Sequence, residues 1–180
     1  SISVQDIDDL ASALGPKMVR YNLTHHIVAD TESIADYLIW LDSAIAELDA
    51  RLPEFERNNM KVMLQLYTPP GGFVSHDSPP FHRVFDSAEA QTDFITAWQT
   101  IANHYVNNTL IWGYDLLNEP AQRQVGSGLK NWSQLAEQAA QTVRAIDSSK
   151  VILIEPIYGN PSKLGKLKLP NVSNIMLAIH

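Results

Sequence analysis

Short apolar runs alternate along this chain with longer segments in which apolar residues recur every three or four positions. That alternation is the signature of parallel strands joined by crossover helices. Five runs read as strands: residues 17–23, 61–67, 111–117, 151–155 and 174–180. They are apolar almost throughout rather than at every second position, which suits strands covered on both faces. Between the first two, Ile34, Leu38, Leu41, Ile45, Leu48 and Leu52 fall on one helical stripe. Between the second and third, Phe94, Trp98, Ile101 and Tyr105 do the same, behind Asp86 and Glu89 at capping-box spacing. Trp132, Leu135, Ala139, Val143 and Ile146 form a third stripe, opened by Asn131 with Gln134 three residues on. A short helix carrying Ile7, Leu10, Ala11 and Leu14 feeds the first strand through Gly15-Pro16.

The loops carry as much information. The Pro- and Gly-rich stretch from Thr68 to Pro80 follows the second strand directly, and residues 120–131, with Gly126 and Gly128, follow the third. Long loops at the carboxyl ends of parallel strands are where open sheets and barrels place their ligand sites. No internal repeat, low-complexity tract or linker divides residues 1–180, which read as one domain.

Composition narrows the field further. With 180 residues, 45% of them apolar, the chain is long enough to bury one substantial core. Its 13 Lys and Arg stand against 20 Asp and Glu, and this acidic balance without a basic run argues against nucleic acid or an anionic membrane as partner. The absence of cysteine excludes disulfides, thiolate metal sites and thiol nucleophiles. No apolar run approaches the roughly 20 residues that span a bilayer, and the first nine residues lack the basic start and apolar stretch of a secretory leader.

The most specific candidate chemistry is Asn118-Glu119-Pro120, which ends the apolar run Ile111-Trp-Gly-Tyr-Asp-Leu-Leu117. A residue before proline is pushed out of the helical region, so the Glu119 carboxylate is expected to project from the rim of the sheet. A second carboxylate nearby would favour the protonated state that an acid catalyst needs, and Asn118 beside it is a neutral hydrogen-bonding side chain. Strict alternation would put residues 118 and 119 on opposite faces, so both serve one site only where regular pleating has ended. Trp98, Trp112 and Trp132 match helical stripes or strand positions and read as core. Tyr158 lies just past the fourth run, at a strand end where an aromatic ring can face a ligand. Asn22, His25 and His26 lie where the first strand ends, either with one histidine facing a cleft or with both in a loop.

The segment from Ile111 to Pro120 resembles the Asn-Glu-Pro strand of glycoside hydrolase family 5, the retaining cellulases, mannanases and related endoglycosidases. Val19-Arg20 resembles that family's Val-Arg on its second strand, and Leu64-Gln-Leu-Tyr-Thr-Pro-Pro-Gly71 the segment after its third. Residues 151–155 suit its fifth, and Ala178-Ile179-His180 its sixth. The resemblance implies an α/β fold, a partial TIM (β/α)8 barrel of five parallel strands with crossover helices. It implies a retaining, endo-β-glucanase-like hydrolase of β-linked polysaccharides, with no cofactor or metal, and favours secretion. Glu119 would be the general acid/base, with Asn118, Arg20, His180, Tyr67, Tyr158 and His25 lining the cleft. Arg20, mid-strand in an apolar run, is expected to face the barrel interior and to be paired.

Two departures stand out. Tyr67 takes the place of a usual His, and Gln65 that of a frequent Asp. A complete barrel takes about 250 residues, and the seventh strand, which carries the nucleophilic Glu, has no counterpart. Glu155 ends the fifth strand, so it is not read as that nucleophile, although retaining chemistry needs a second carboxyl about 5 to 5.5 Å from the first. Two open sheet edges would then favour self-association. The alternatives are a catalytically silent, self-associating or carbohydrate-binding half-barrel, and a metal-dependent hydrolase using His25, His26, Asp115 and His180, which lacks a two-His motif at ligand spacing.

Overall fold

The computed structural model describes residues 2–25, 36–75 and 77–179. In chain order the elements are α1 (Val4–Leu14), β1 (Met18–Leu23), α2 (Asp36–Asp49), α3 (Leu52–Arg57), β2 (Lys61–Leu66), β3 (Phe73–Val74), β4 (Phe81–His82), α4 (Ala88–Tyr105), β5 (Ile111–Asp115), α5 (Trp132–Ile146), β6 (Val151–Ile154) and β7 (Ile175–Leu177). All five expected strands are present and pair in parallel in the order β1-β2-β5-β6-β7. Each crossover therefore returns the chain to the next neighbour in line. Because such crossovers share one hand, the helices collect on one face of the sheet and leave the other to polar chemistry.

Alternation along each strand sorts residues between these faces. Leu23, Val62, Leu64, Leu66, Tyr114, Ile152 and Ile154 are buried against Leu41, Leu48, Phe94, Trp98, Leu135 and Val143 of the helices. Arg20, Gln65, Asp115 and Glu155 belong to the opposite set. Trp98 and Trp132 are fully buried, as their stripes require, and each spends its indole N–H on a carbonyl at a strand end. Trp98 Nε1 donates to Leu116 O at 3.1 Å and Trp132 Nε1 to Glu155 O at 2.7 Å. Trp112 is only half-buried.

Several local expectations needed adjustment. Leu52 does not continue the stripe of α2 but opens α3, with Pro53 in its first turn; Ile34 lies outside the described residues. The cap of α4 is Ser87, whose side chain accepts from the Ala90 N–H, rather than the Asp86 and Glu89 pair. The cap of α5 is the expected reciprocal box of Asn131 and Gln134. Residues 116 and 117 fall outside β5, and β7 is only three residues long. The stretch 68–80, read as loop, holds half of an antiparallel hairpin in which Phe73 pairs with His82 and Val74 with Phe81.

Gly113 sets how closely β5 approaches β6. A Cβ there would lie 2.6 Å from Val151 O and 3.2 Å from the Met63 methyl. Gly113→Ala is accordingly expected to cost about 1–3 kcal/mol through overpacking, read as a lower urea midpoint at an unchanged denaturant slope.

Candidate active site

On the face away from the helices, Arg20 in the middle of β1 meets Gln65 near the end of β2, Asp115 at the end of β5 and Glu155 just past β6. Gln65 Nε2 donates to Asp115 Oδ2 at 2.7 Å and to Glu155 Oε1 at 3.2 Å. Arg20 Nη1 lies 3.3 Å from Glu155 Oε1, and its Nε lies 3.5 Å from Asp115 Oδ2. Arg20 is thus paired and faces the interior, as its place in an apolar run predicts. Both carboxyl groups are fully buried and share this single guanidinium. Burial first, and the neighbouring Glu155 second, push the Asp115 carboxyl up to about 8, against the pull of Arg20 and Gln65. At neutral pH the Asp115 carboxyl is therefore held toward its protonated form.

This network reaches the rim through the backbone. After β5 the chain leaves regular pleating: Leu116 N–H donates to Leu153 O at 3.1 Å, and Asn118 N–H donates to Leu66 O at 3.0 Å. Glu119 follows with φ of 40°, a left-handed conformation instead of the extended one expected before proline. Glu155 Oε2 accepts the Glu119 N–H at 2.8 Å and holds the residue there. Such a backbone costs about 1–3 kcal/mol and persists only where its surroundings over-determine it. The turn brings Asn118 and Glu119 to one cleft despite their adjacency.

The cleft has a volume of about 190 Å³ and is lined by Tyr67, Phe73, His82, Asn118, Glu119 and Tyr158 among others. Tyr67 and Phe73 leave 44% and 43% of their surface exposed. Tyr158 donates its hydroxyl to Pro80 O at 3.0 Å, and its N–H to Pro120 O at 3.2 Å. A wider hollow of about 360 Å³ runs along the outer edge of β1, against Trp40 and Glu47, but no strand-end carboxylate opens into it.

A buried polar layer beneath an exposed glutamate at a strand end, walled by aromatic rings, is an arrangement suited to proton transfer at an open cleft. The model for cellulase (glycosyl hydrolase family 5) matches residues 1–180. The chain belongs to glycosyl hydrolase family 5. Among its relatives, Endoglucanase C of Acetivibrio thermocellus is 23% identical over 167 residues, covering 92% of this chain and 46% of that protein. The major extracellular endoglucanase of Xanthomonas campestris is 28% identical over 136 residues, 74% of this chain and 25% of its own length. The structure of Cel5A from Thermotoga maritima in complex with cellobiose superposes with a TM-score of 0.71 at 21% identity, covering 99% of this chain and 53% of that one. The fold is therefore part of a family 5 TIM barrel, and the chain spans about half the length of the curated relatives it matches, or less.

Of the cleft residues expected for a family 5 chain, the structure brings together Glu119, Asn118, Tyr67 and Tyr158, with Arg20 beneath them. It does not bring His25 to the cleft wall. The His25 ring packs against Trp40 and Tyr37, with centroids 4.6 and 6.0 Å apart, while the His25 backbone N–H donates to Thr68 Oγ1 at 3.2 Å. His180 and His26 lie outside the described residues. Sequence reasoning missed Phe73 and His82, and gave Asp115, Gln65 and Glu155 no part in positioning Glu119. The last three carried a usable signal, each being a polar residue near the carboxyl end of an apolar strand.

The proton held by Asp115 has a thermodynamic sign. The unfolded chain gives it up near the ordinary carboxylate pKa of about 4, whereas the folded chain keeps it until about pH 8. Over that window the folded state binds more protons, so this group's contribution is complete below pH 4 and is lost as pH rises toward 8. Asp115→Asn, which mimics the protonated form, is expected to flatten the difference between urea midpoints measured at pH 5 and pH 8.

Proposed function

We propose that residues 1–180 form one incomplete catalytic-type barrel domain of an endo-β-glucanase, supplying the acid/base half of a retaining mechanism. The observation that carries this reading is Glu119 itself, turned to the cleft rim by Glu155 beside Asn118 and a wall of aromatic rings. In the first step Glu119 gives its proton to the glycosidic oxygen as the bond to the anomeric carbon breaks. In the second it takes a proton from the water that releases the sugar. Asn118 would bind the 2-hydroxyl, Arg20 would steady the carboxylate layer below, and Tyr67 and Tyr158 would hold sugar rings. Glu155 is committed to the Glu119 N–H, Gln65 and Arg20, which suits a positioning role rather than attack on the sugar. The nucleophilic carboxylate is then one that this chain does not supply. His25 and His180 remain proposed cleft residues by resemblance alone.

Release of reducing ends from a soluble β-glucan tests the assignment. In an assembly that supplies the second carboxylate, Glu119→Gln is expected to lower the rate by about 10²–10⁴-fold with the fold intact, and an unchanged rate would sink it. Binding of cello-oligosaccharide by that assembly without any hydrolysis would favour the alternative, a silent carbohydrate-binding half-barrel.

The self-association reading has its own support. On the edge strand β7, Met176 and Leu177 are 43% and 42% exposed, and Ile179 just beyond is 53% exposed. An uncovered apolar edge of this kind pairs readily with a further strand. Light scattering is expected to give a mass above 20.1 kDa at all concentrations; a monomer would remove this reading.

A further inference from the structure

The β3–β4 hairpin takes no part in the carboxylate layer, yet it forms one wall of the cleft. Phe73 and His82 are cross-strand partners on it, their rings 5.2 Å apart at 65°. Phe73 leaves 43% of its surface exposed beside Glu119, where it contributes little to the core. His82 is buried and doubly tied to the residue two places beyond Glu119. Its N–H donates to Ala121 O at 2.9 Å, and its Nδ1 accepts the Ala121 N–H at 3.1 Å. Accepting at Nδ1 puts the ring proton of a neutral imidazole on Nε2, and among the described residues no hydrogen bond is recorded for that nitrogen. Burial pushes the imidazole down to about 3, so it stays neutral over the working range of a glycosidase. The guanidinium of Arg123, 3.5 Å from the centroid of the Phe81 ring and paired with Asp77, further binds the hairpin to the loop after Glu119.

We infer that Phe73 and His82 form a pyranose-binding subsite next to Glu119, Phe73 stacking on the sugar face and His82 Nε2–H donating to a hydroxyl at its edge. A β-glucosyl unit fits this chemistry, because its hydroxyls are equatorial and leave both faces apolar, while the polar groups ring the edge. The two residues are held rigidly to the Glu119 loop, so the subsite and the acid keep one spacing. The inference rests on reading the cleft as a β-glucan site.

Titration calorimetry of the full chain with cellohexaose tests it. Phe73→Ala is expected to weaken binding by about tenfold with the melting temperature unchanged, since the ring is half out of the core. His82→Phe, which keeps a ring in the slot but removes both nitrogens, should weaken it too. Parent binding with Phe73→Ala within twofold of it would overturn the subsite alone, even if His82→Phe fails to fold. A parent that binds no cellohexaose at millimolar concentration would overturn the β-glucan reading as well.

Discussion

Two buried carboxyl groups, Asp115 and Glu155, share one guanidinium, and much of this molecule follows from that constraint. Taking charge out of water costs several kcal/mol per ion unless each group is paired and hydrogen-bonded. Arg20 pairs with both acids, Gln65 bridges them, and burial pushes the Asp115 carboxyl toward its protonated form. Each partner comes from a different strand: β1, β2, β5 and the end of β6. A slip of one residue in any strand would turn its polar side chain into the helix-side core. The layer thus specifies register as well as charge, which an apolar layer could not do.

What the layer delivers at the surface is a backbone conformation. Glu155 has one oxygen left over after Arg20 and Gln65, and that oxygen captures the Glu119 N–H. The left-handed turn that results sets Asn118 and Glu119 on one cleft, although strand alternation would separate them. Two tryptophans brace the same region from the helix side. Trp98 and Trp132 reach across from α4 and α5 to the carbonyls of Leu116 and Glu155, so strand ends that carry the polar groups are pinned from both faces.

The strands and crossover helices were legible because each depends on periodicity within a dozen or so residues. Arg20 could be read as paired because a charge in an apolar strand has few other options. Other features were hidden for identifiable reasons. The hairpin strands are two residues long, too short for alternation to register, and sit among prolines and glycines that suggest loop. Pro120 argued for extended backbone at Glu119, and a carboxylate 36 residues later overrode it. The place of His25 at a strand end left cleft and loop roles open, and its ring packs against Trp40 and Tyr37.

By itself the sequence determined the class of the fold, its parallel strand pattern, the crossover helices with the cap of α5, and the family, because those are written in local spacing and in one contiguous motif. Only the tertiary structure decided which buried carboxylate holds Glu119, that Asp115 is pushed toward its protonated form, and that Phe73 and His82 stand at the cleft. Those outcomes depend on distances between residues far apart in the chain, and on the loss of water around charged groups. Neither exists until the strands have lined up side by side.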